Sequence, residues 1–315
     1  MRKLLMLICC LPFYTHAWVL PGVGDFSFQK VNQNVYIMHG PLEEPNKANM
    51  GFMNNPGLIV ANNGIILVDP GGTYQVGKQV LAEVKKISNK PVLAVFNTHI
   101  HGDHWLGNQA IKEMYPEAKI YGHPEMISQA NSAVGESWLT IMDRLTEGAS
   151  KGTRVVAADS PVKKGEIINI GDQKFRMHIY DPAHTNTDIL IEHLNSKTLF
   201  MGDNGFNKRI GRFDSSSNMH GSIKLLQSID KNAITHYIPG HGQSGGYNVA
   251  AKPFLDYLLQ LQKIVQTGFD KDMEDYEIKK VAHKALQPYH DWHGFENHYG
   301  KHVFKMYLEI QERSL

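Results

Sequence analysis

The segment Thr98-His99-Ile100-His101-Gly102-Asp103-His104 places three imidazoles and one carboxylate within six residues. Imidazole nitrogen and carboxylate oxygen are ligands that zinc takes, about four per ion. Upstream, Val92-Leu93-Ala94-Val95-Phe96 is apolar and β-branched and reads as a buried strand. Downstream, Trp105 to Tyr115 reads as a short helix. The cluster therefore sits where a strand gives way to a helix, the place where open α/β sheets put their chemistry. On such a turn His99 and His101 aim one way and Asp103 and His104 another, which suits two adjacent metals better than one. A His-x-His pair alone reads equally well as two surface histidines. The added Asp-His at this spacing sets the block apart.

Three further donors each close an apolar run: His184 in Tyr180-Asp181-Pro182-Ala183-His184-Thr185, Asp203 after Thr198-Leu199-Phe200-Met201-Gly202, and His241 in Ile238-Pro239-Gly240-His241-Gly242. Singly, each fits ordinary turn chemistry. In this order, with the first block, they make seven donors. The set resembles the metallo-β-lactamase superfamily of dinuclear metallohydrolases, over roughly Phe26 to Gly242. The resemblance implies an α/β fold, a four-layer αββα sandwich. It implies that His99, His101 and His184 hold one metal, that Asp103, His104 and His241 hold the other, and that Asp203 bridges them. The implied cofactor is two Zn2+, with iron or manganese as alternatives. Zinc ions about 3.5–4 Å apart share a water whose pKa falls to about 7, giving a dizinc-bound hydroxide as nucleophile. Asp103 is the candidate catalytic residue, a ligand that can also pass a proton. Val68-Asp69-Pro70-Gly71 matches a superfamily strand end, where Asp69 reads either as a carboxylate orienting a ligand histidine or as a turn cap.

Asp203 stands where the lactamases with a thiolate ligand have Cys, and other lactamases lack a bridging carboxylate there. This favours hydrolysis of a carbonyl-type substrate (thioester, ester or lactone) over a β-lactam. The Met201-Gly202-Asp203-Asn204 stretch and the length look most like exported hydrolases associated with sulfur-oxidation and quinoprotein gene clusters. Two alternatives stand beside this: β-lactam hydrolysis on the same site, and a mononuclear-iron oxidoreductase similar to persulfide dioxygenases, whose iron needs open positions for oxygen. A non-catalytic metal-handling role is disfavoured by the seven intact donors.

These donors need strands that end together. Phe28 to Met38 reads as a first strand, followed by a connection over His39 to Pro56. In relatives that place carries a flap; here Met50, Phe52 and Met53 either grip an apolar acyl group or pack on a sheet edge. Leu58-Ile59-Val60 and Ile65-Ile66-Leu67-Val68 flank Asn63-Gly64, a hairpin signal. Val76, Val80, Val84 and Ile87 give Thr73 to Ser88 a helical stripe. Lys119 to His123 reads as a strand, with His123 at its end or on the cleft wall. Glu125 to Leu145 reads as one long helix overhanging the site. Ile189 to Leu194 and Thr198 to Met201 form a hairpin that delivers Asp203. A helix over Ser222 to Ile229 and a strand at Tyr237-Ile238 lead to His241. Helices are expected over Val249 to Gln266, Glu274 to Leu286 and Val303 to Glu309. Between the last two, Tyr289 to His302 carries four histidines among aromatics at irregular spacing, which reads as packing or as a pocket rim.

Met1-Arg2-Lys3, an apolar run from Leu4 to Phe13 and Tyr14-Thr15-His16-Ala17 describe a secretory signal over residues 1–17, too short to span a bilayer permanently. Residues 18–247 are then expected to form the αββα domain, and residues 248–315 a helical portion packed on it. Both cysteines, Cys9 and Cys10, fall in the leader, so the mature chain has neither a disulfide framework nor a thiolate ligand. The expected location is periplasmic or secreted, with no stable membrane anchor after cleavage. The net charge of +1 over 315 residues argues against a nucleic-acid groove. The expected partner is a small-molecule substrate.

Overall fold

The structure is a computed structural model that describes residues 26–180 and 182–314; the expected leader lies outside the described residues. Two sheets run side by side in chain order. The first contains β1 (Gln29–Lys30), β2 (Val35–Ile37), β3 (Gly57–Val60), β4 (Ile65–Val68), β5 (Val92–Phe96), β6 (Lys119–Gly122) and β7 (Ser160–Pro161). It is antiparallel up to β4 and parallel from there. The second contains β8 (Ile167–Ile170), β9 (Gln173–Ile179), β10 (Ile189–His193), β11 (Thr198–Phe206) and β12 (His236–His241), with only the last pair parallel. The expected first strand is broken in two. The Asn32 side-chain oxygen accepts from the backbone N–H groups of Asn34 and Val35 and turns the chain between β1 and β2.

Alternation along each strand sorts side chains between layers. On β5, Ala94 and Phe96 face the second sheet, meeting Phe175, Met177 and Ile191, while Val95 faces outward; a register shift at Leu93 turns Val92 outward as well. The outward face is covered by α1 (Tyr74–Ile87), whose Val76, Val80 and Val84 pack on Leu67 and Val95. Thr73 caps α1 by accepting from Val76 N–H, so both ends fall within a residue of the expected ones. The helix expected after the metal block is two pieces, α2 (Gly102–Trp105) and α3 (Asn108–Met114). Gly107 separates them because its backbone presses against Pro70 and its N–H donates to Gly71 O at 2.8 Å. Trp105 lies in the core, with its indole N–H on Ile100 O.

The expected helix over 125–145 is likewise two, α4 (Pro124–Ala130) and α5 (Ala133–Leu145), broken where Ser132 caps the second. His123 is the N-cap of α4.

On the outer face of the second sheet lie α6 (Met219–Ser228), α7 (Tyr247–Ala250), α8 (Lys252–Phe269), α9 (Asp275–Ala285) and α10 (Phe295–Ser314). Leu190, Leu199, Met201 and Tyr237 of that sheet share a core with Phe254, Leu258, Val303 and Met306. The layers therefore run helix, sheet, sheet, helix. α10 begins eight residues before the expected start, because Phe295, Tyr299, His302, Val303 and Met306 continue one buried helical stripe through the histidine-rich stretch. Its Glu309 carboxylate accepts from the first backbone N–H groups of α6, Met219 and His220, and from His220 Nδ1. No described helix is long and apolar enough to cross a membrane.

Candidate metal centre

All seven predicted donors are buried and meet at one edge of the sandwich. The turn after β5 and the start of α2 carry the first block; the turn after β9, the irregular second half of β11 and the end of β12 bring the other three. His99, His101, His184 and Asp203 offer one ligand atom each within 4.8 Å of one another, as do Asp103, His104 and His241. Asp203 faces both groups. Its Oδ2 lies 3.4 Å from His184 Nε2 and 3.9 Å from His99 Nε2, and its Oδ1 lies 3.0 Å from His104 Nε2 and 3.3 Å from His241 Nε2. β12 leaves room for it with Gly240, where a Cβ would overlap Asp203 Oδ1.

Each ring except His184 is turned by a bond on its outer side. Asp69 Oδ2 accepts from His104 Nδ1–H at 2.8 Å and from Thr98 Oγ1–H at 2.6 Å. Having donated to Asp69, the Thr98 hydroxyl accepts from His99 Nδ1–H at 3.0 Å. His241 Nδ1–H donates to Met53 O at 2.8 Å, and His101 Nε2–H to Asp214 Oδ2 at 3.1 Å. These bonds leave His99 Nε2, His101 Nδ1, His104 Nε2 and His241 Nε2 pointing at the common centre. Of the two readings of Asp69, orienting a ligand histidine is the one its contacts describe. Asp69 holds a left-handed φ of 48° to do so, with its carbonyl fixed by Asn54 Nδ2–H.

The inward atoms test whether a metal fits. His99 Nε2, His104 Nε2 and Asp203 Oδ1 are buried without a hydrogen-bond partner among the described residues. Such atoms are costly unless a further group satisfies them, and nitrogen and carboxylate oxygen around one point suit a divalent cation. The electrostatics divide the donors: against burial, which would lower them, the carboxylates around His104 and His241 raise the first well above and the second above the ordinary imidazole value. Burial holds His99 well below the ordinary imidazole value and pushes His184 down to about 3, so both are neutral, ligating forms. Burial alone would raise Asp103 and Asp203, yet the neighbouring His104 and His241 hold both well below the carboxylate range.

The loop over 41–56 divides its three apolar residues. Phe52 is fully buried against Phe26, Met50 packs on the same core, and only Met53 lines the cavity above the donors. Trp138, Ile141, Met142 and Leu145 of α5 overhang that cavity, as the helix length suggests. In the histidine-rich stretch, His298 lines the cavity rim and His302 packs in the core. His283, His290 and Glu296 come together on the surface, a grouping their spacing hides. Asp214 and Arg209 were not singled out by sequence. Asp214 reaches His101 across 113 positions, and the surrounding Phe213-Asp214-Ser215-Ser216 carries no local pattern.

Comparison with known proteins follows this geometry. A family model described as the metallo-beta-lactamase superfamily matches residues 50–255. A probable metallo-hydrolase of Methanocaldococcus jannaschii is 28% identical over 208 residues, 62% of this chain and 90% of that protein. A hydroxyacylglutathione hydrolase of Francisella tularensis subsp. novicida is 25% identical over 186 residues, 58% of this chain but only 61% of that protein. Among solved structures, a metallo-beta-lactamase from Pontibacter korlensis superposes with a TM-score of 0.58 at 18% identity, covering 74% of this chain and 99% of that one. A sec-alkylsulfatase from Pseudomonas sp. gives 0.61 at 17% identity, covering 81% of this chain and 45% of that one. At these identities the two superpositions show a shared fold.

Proposed function

The chain belongs to the metallo-β-lactamase superfamily and is a hydrolase of that superfamily, and from this premise we propose that it cleaves a carbonyl-type substrate (thioester, ester or lactone) at two metal ions, zinc first among them. His99, His101 and His184 would hold one ion and Asp103, His104 and His241 the other, with Asp203 between. The observation that carries the reading is Asp203, whose two oxygens face different histidine groups. When bound, such ions supply Lewis acidity and lower the pKa of water to about 7. The chain's own residues do the rest. Asp69, Thr98, Asp214 and Met53 O hold the outer ring nitrogens, so the inner ones are fixed before substrate arrives. Phe206, stacked on His241 at 5.6 Å, and Trp138, 5.1 Å from His101, wall the donors from bulk water. Asp103 is the carboxylate of the set with the more exposed side chain, 11% against 7% for Asp203, which suits it, as an anion, to take a proton from the attacking water and pass it to a leaving group. The hydroxyacylglutathione hydrolase among the relatives supports an acyl substrate. The complete second donor group supports two ions over the one that an iron oxygenase needs.

The test is metal content together with turnover on a panel of thioesters, esters, lactones, β-lactams and phosphoesters. Wild type should bind up to two zinc ions and lose activity reversibly to a chelator. Asp203→Asn keeps the shape and removes the bridging charge. It should loosen the second ion most and lower turnover by about 10²-fold or more, the scale of a lost positioned electrostatic group. Full dinuclear occupancy with full turnover in Asp203→Asn would refute the bridge; wild-type activity with one iron and oxygen would refute hydrolysis. We also propose export. Mass spectrometry should find a mature N-terminus near Trp18, and an intact Met1 on cytosolic protein would contradict it.

A further inference from the structure

The donors open into a cavity of about 580 Å³ with two unlike walls. One wall is apolar. Trp138, Ile141, Met142 and Leu145 lie three or four positions apart on one face of α5, broken only by Arg144 at the exposed rim. Another part of the lining is basic: Arg209 and Arg212 come from the segment after β11, and His298 and Lys301 come from α10, the latter two beyond the residues the family model matches.

The basic wall is under-neutralised. Of the three carboxylates lining the cavity, Asp103 and Asp203 belong to the metal centre. The third, Glu44, is shared: it lies 2.9 Å from Arg209 Nη2 and 3.6 Å from His298 Nε2. Arg209 is only 3% exposed, with another N–H on Leu42 O, yet its Nε has no partner among the described residues. His298 Nδ1 is buried without a partner too. Arg212 and Lys301 are exposed, and no described carboxylate pairs with either. A concave site with a surplus of one charge concentrates the opposite charge, and bonds from guanidinium and ammonium to an anion are stronger than neutral ones.

We infer that the substrate is an amphiphilic anion. Its scissile group sits at the metal centre, an apolar portion lies along α5, and an acidic group away from the scissile bond is received by Arg212 and Lys301, with Arg209 and His298 behind them. This rests on the hydrolase reading of the same site and narrows its substrates to acids that carry an apolar chain.

The full chain loaded with zinc is titrated calorimetrically with 1-octanesulfonate, whose head group is a poor zinc ligand, and with 1-octanol, which has the same chain without the charge. The sulfonate should bind at least about tenfold more tightly. In the Arg212→Gln/Lys301→Gln double variant, at two exposed positions away from the core, sulfonate affinity should fall about tenfold and octanol affinity should change less than about twofold. Higher salt should mimic the variant. Equal affinities in wild type overturn the inference. So does undiminished sulfonate binding in the double variant, which would put the anion on the metals. Turnover on the substrate panel is read on the same preparations. Probe binding as expected without any turnover sinks the hydrolase reading and leaves the anion site, and the converse sinks the anion site alone.

Discussion

Asp214 shows what a single residue outside the ligand set does. Its Oδ2 accepts from His101 Nε2–H, and its Oδ1 accepts from Ser216 N–H and Ser216 Oγ–H at 2.8 Å, which fixes the carboxylate on its own turn. Burial would raise its pKa, but the bond from His101 and those from Ser216 hold it well below the carboxylate range, so it is an anion throughout the working pH range. An anion on the far nitrogen raises the basicity of the near one. Asp214→Asn keeps an acceptor and removes the charge. Zinc affinity of the His99–His101–His184 group should fall about 10- to 100-fold by competition with a chromophoric chelator, with the other ion unchanged. Equal affinity in variant and wild type would leave Asp214 only a turn residue. That these seven residues meet was legible because four fall within six residues and three end apolar runs. Asp214 and the Met53 carbonyl were not, since a bond formed across the fold leaves no mark on local spacing.

At the scale of elements, α10 is tied to the site by a buried imidazole. His302 Nε2–H donates to Gly211 O at 2.9 Å, and its Nδ1 accepts from Tyr257 O–H at 2.8 Å. Only the neutral ring can do both. Burial accordingly pushes His302 down to about 3 from an ordinary 6.5. Above pH 6.5 folded and unfolded chains both hold it neutral, and its contribution to stability is complete. As pH falls from 6.5 toward 3, only the unfolded chain takes the proton, and stability drops by up to about 1.4 kcal/mol per pH unit from this group. Urea unfolding at pH 7, 6 and 5 should show that loss in wild type and a shallower one in His302→Gln, whose amide can both donate and accept. Parallel pH profiles would contradict it. Elements with local caps, such as α1, were read from sequence within a residue. α10 was read short because aromatic and histidine residues at irregular-looking intervals concealed a helical stripe, and the strand after Phe28 was read too long because an Asn side chain, not a Gly or Pro, turns it.

Across the whole molecule, the two sheets are clamped above the donors by one amide. Asn55 Nδ2 donates to Pro239 O at 2.9 Å and Gly242 O at 2.8 Å, its Oδ1 accepts from Gly40 N–H, and its backbone N–H donates to Gly240 O. These bonds flank His241, which Met53 O holds from the same loop. Asn55→Ala leaves buried carbonyls unpaired and should cost about 1–3 kcal/mol of stability. It should also release the ion near His241 faster than the ion near His184, measured by stopped-flow chelation. Equal release of both ions would show that the clamp does not reach the site selectively. The layered architecture was legible because strand and helix periods are local, whereas the register that joins residue 55 to residues 239–242 is not.

Because that clamp joins positions up to 187 apart, the centre is also ordered in time. During synthesis His99, His101, Asp103 and His104 emerge long before Asp203, His241 and the carbonyls that Asn55 grips, and contacts so distant in sequence close late in folding. Until then the early four donors are a flexible turn with no bridge, a poor competitor for zinc against other ligands. On the two-ion reading, the ions would therefore enter a nearly finished protein, and the compartment in which the last helices dock, rather than the one in which the chain is made, would decide which metal the centre acquires.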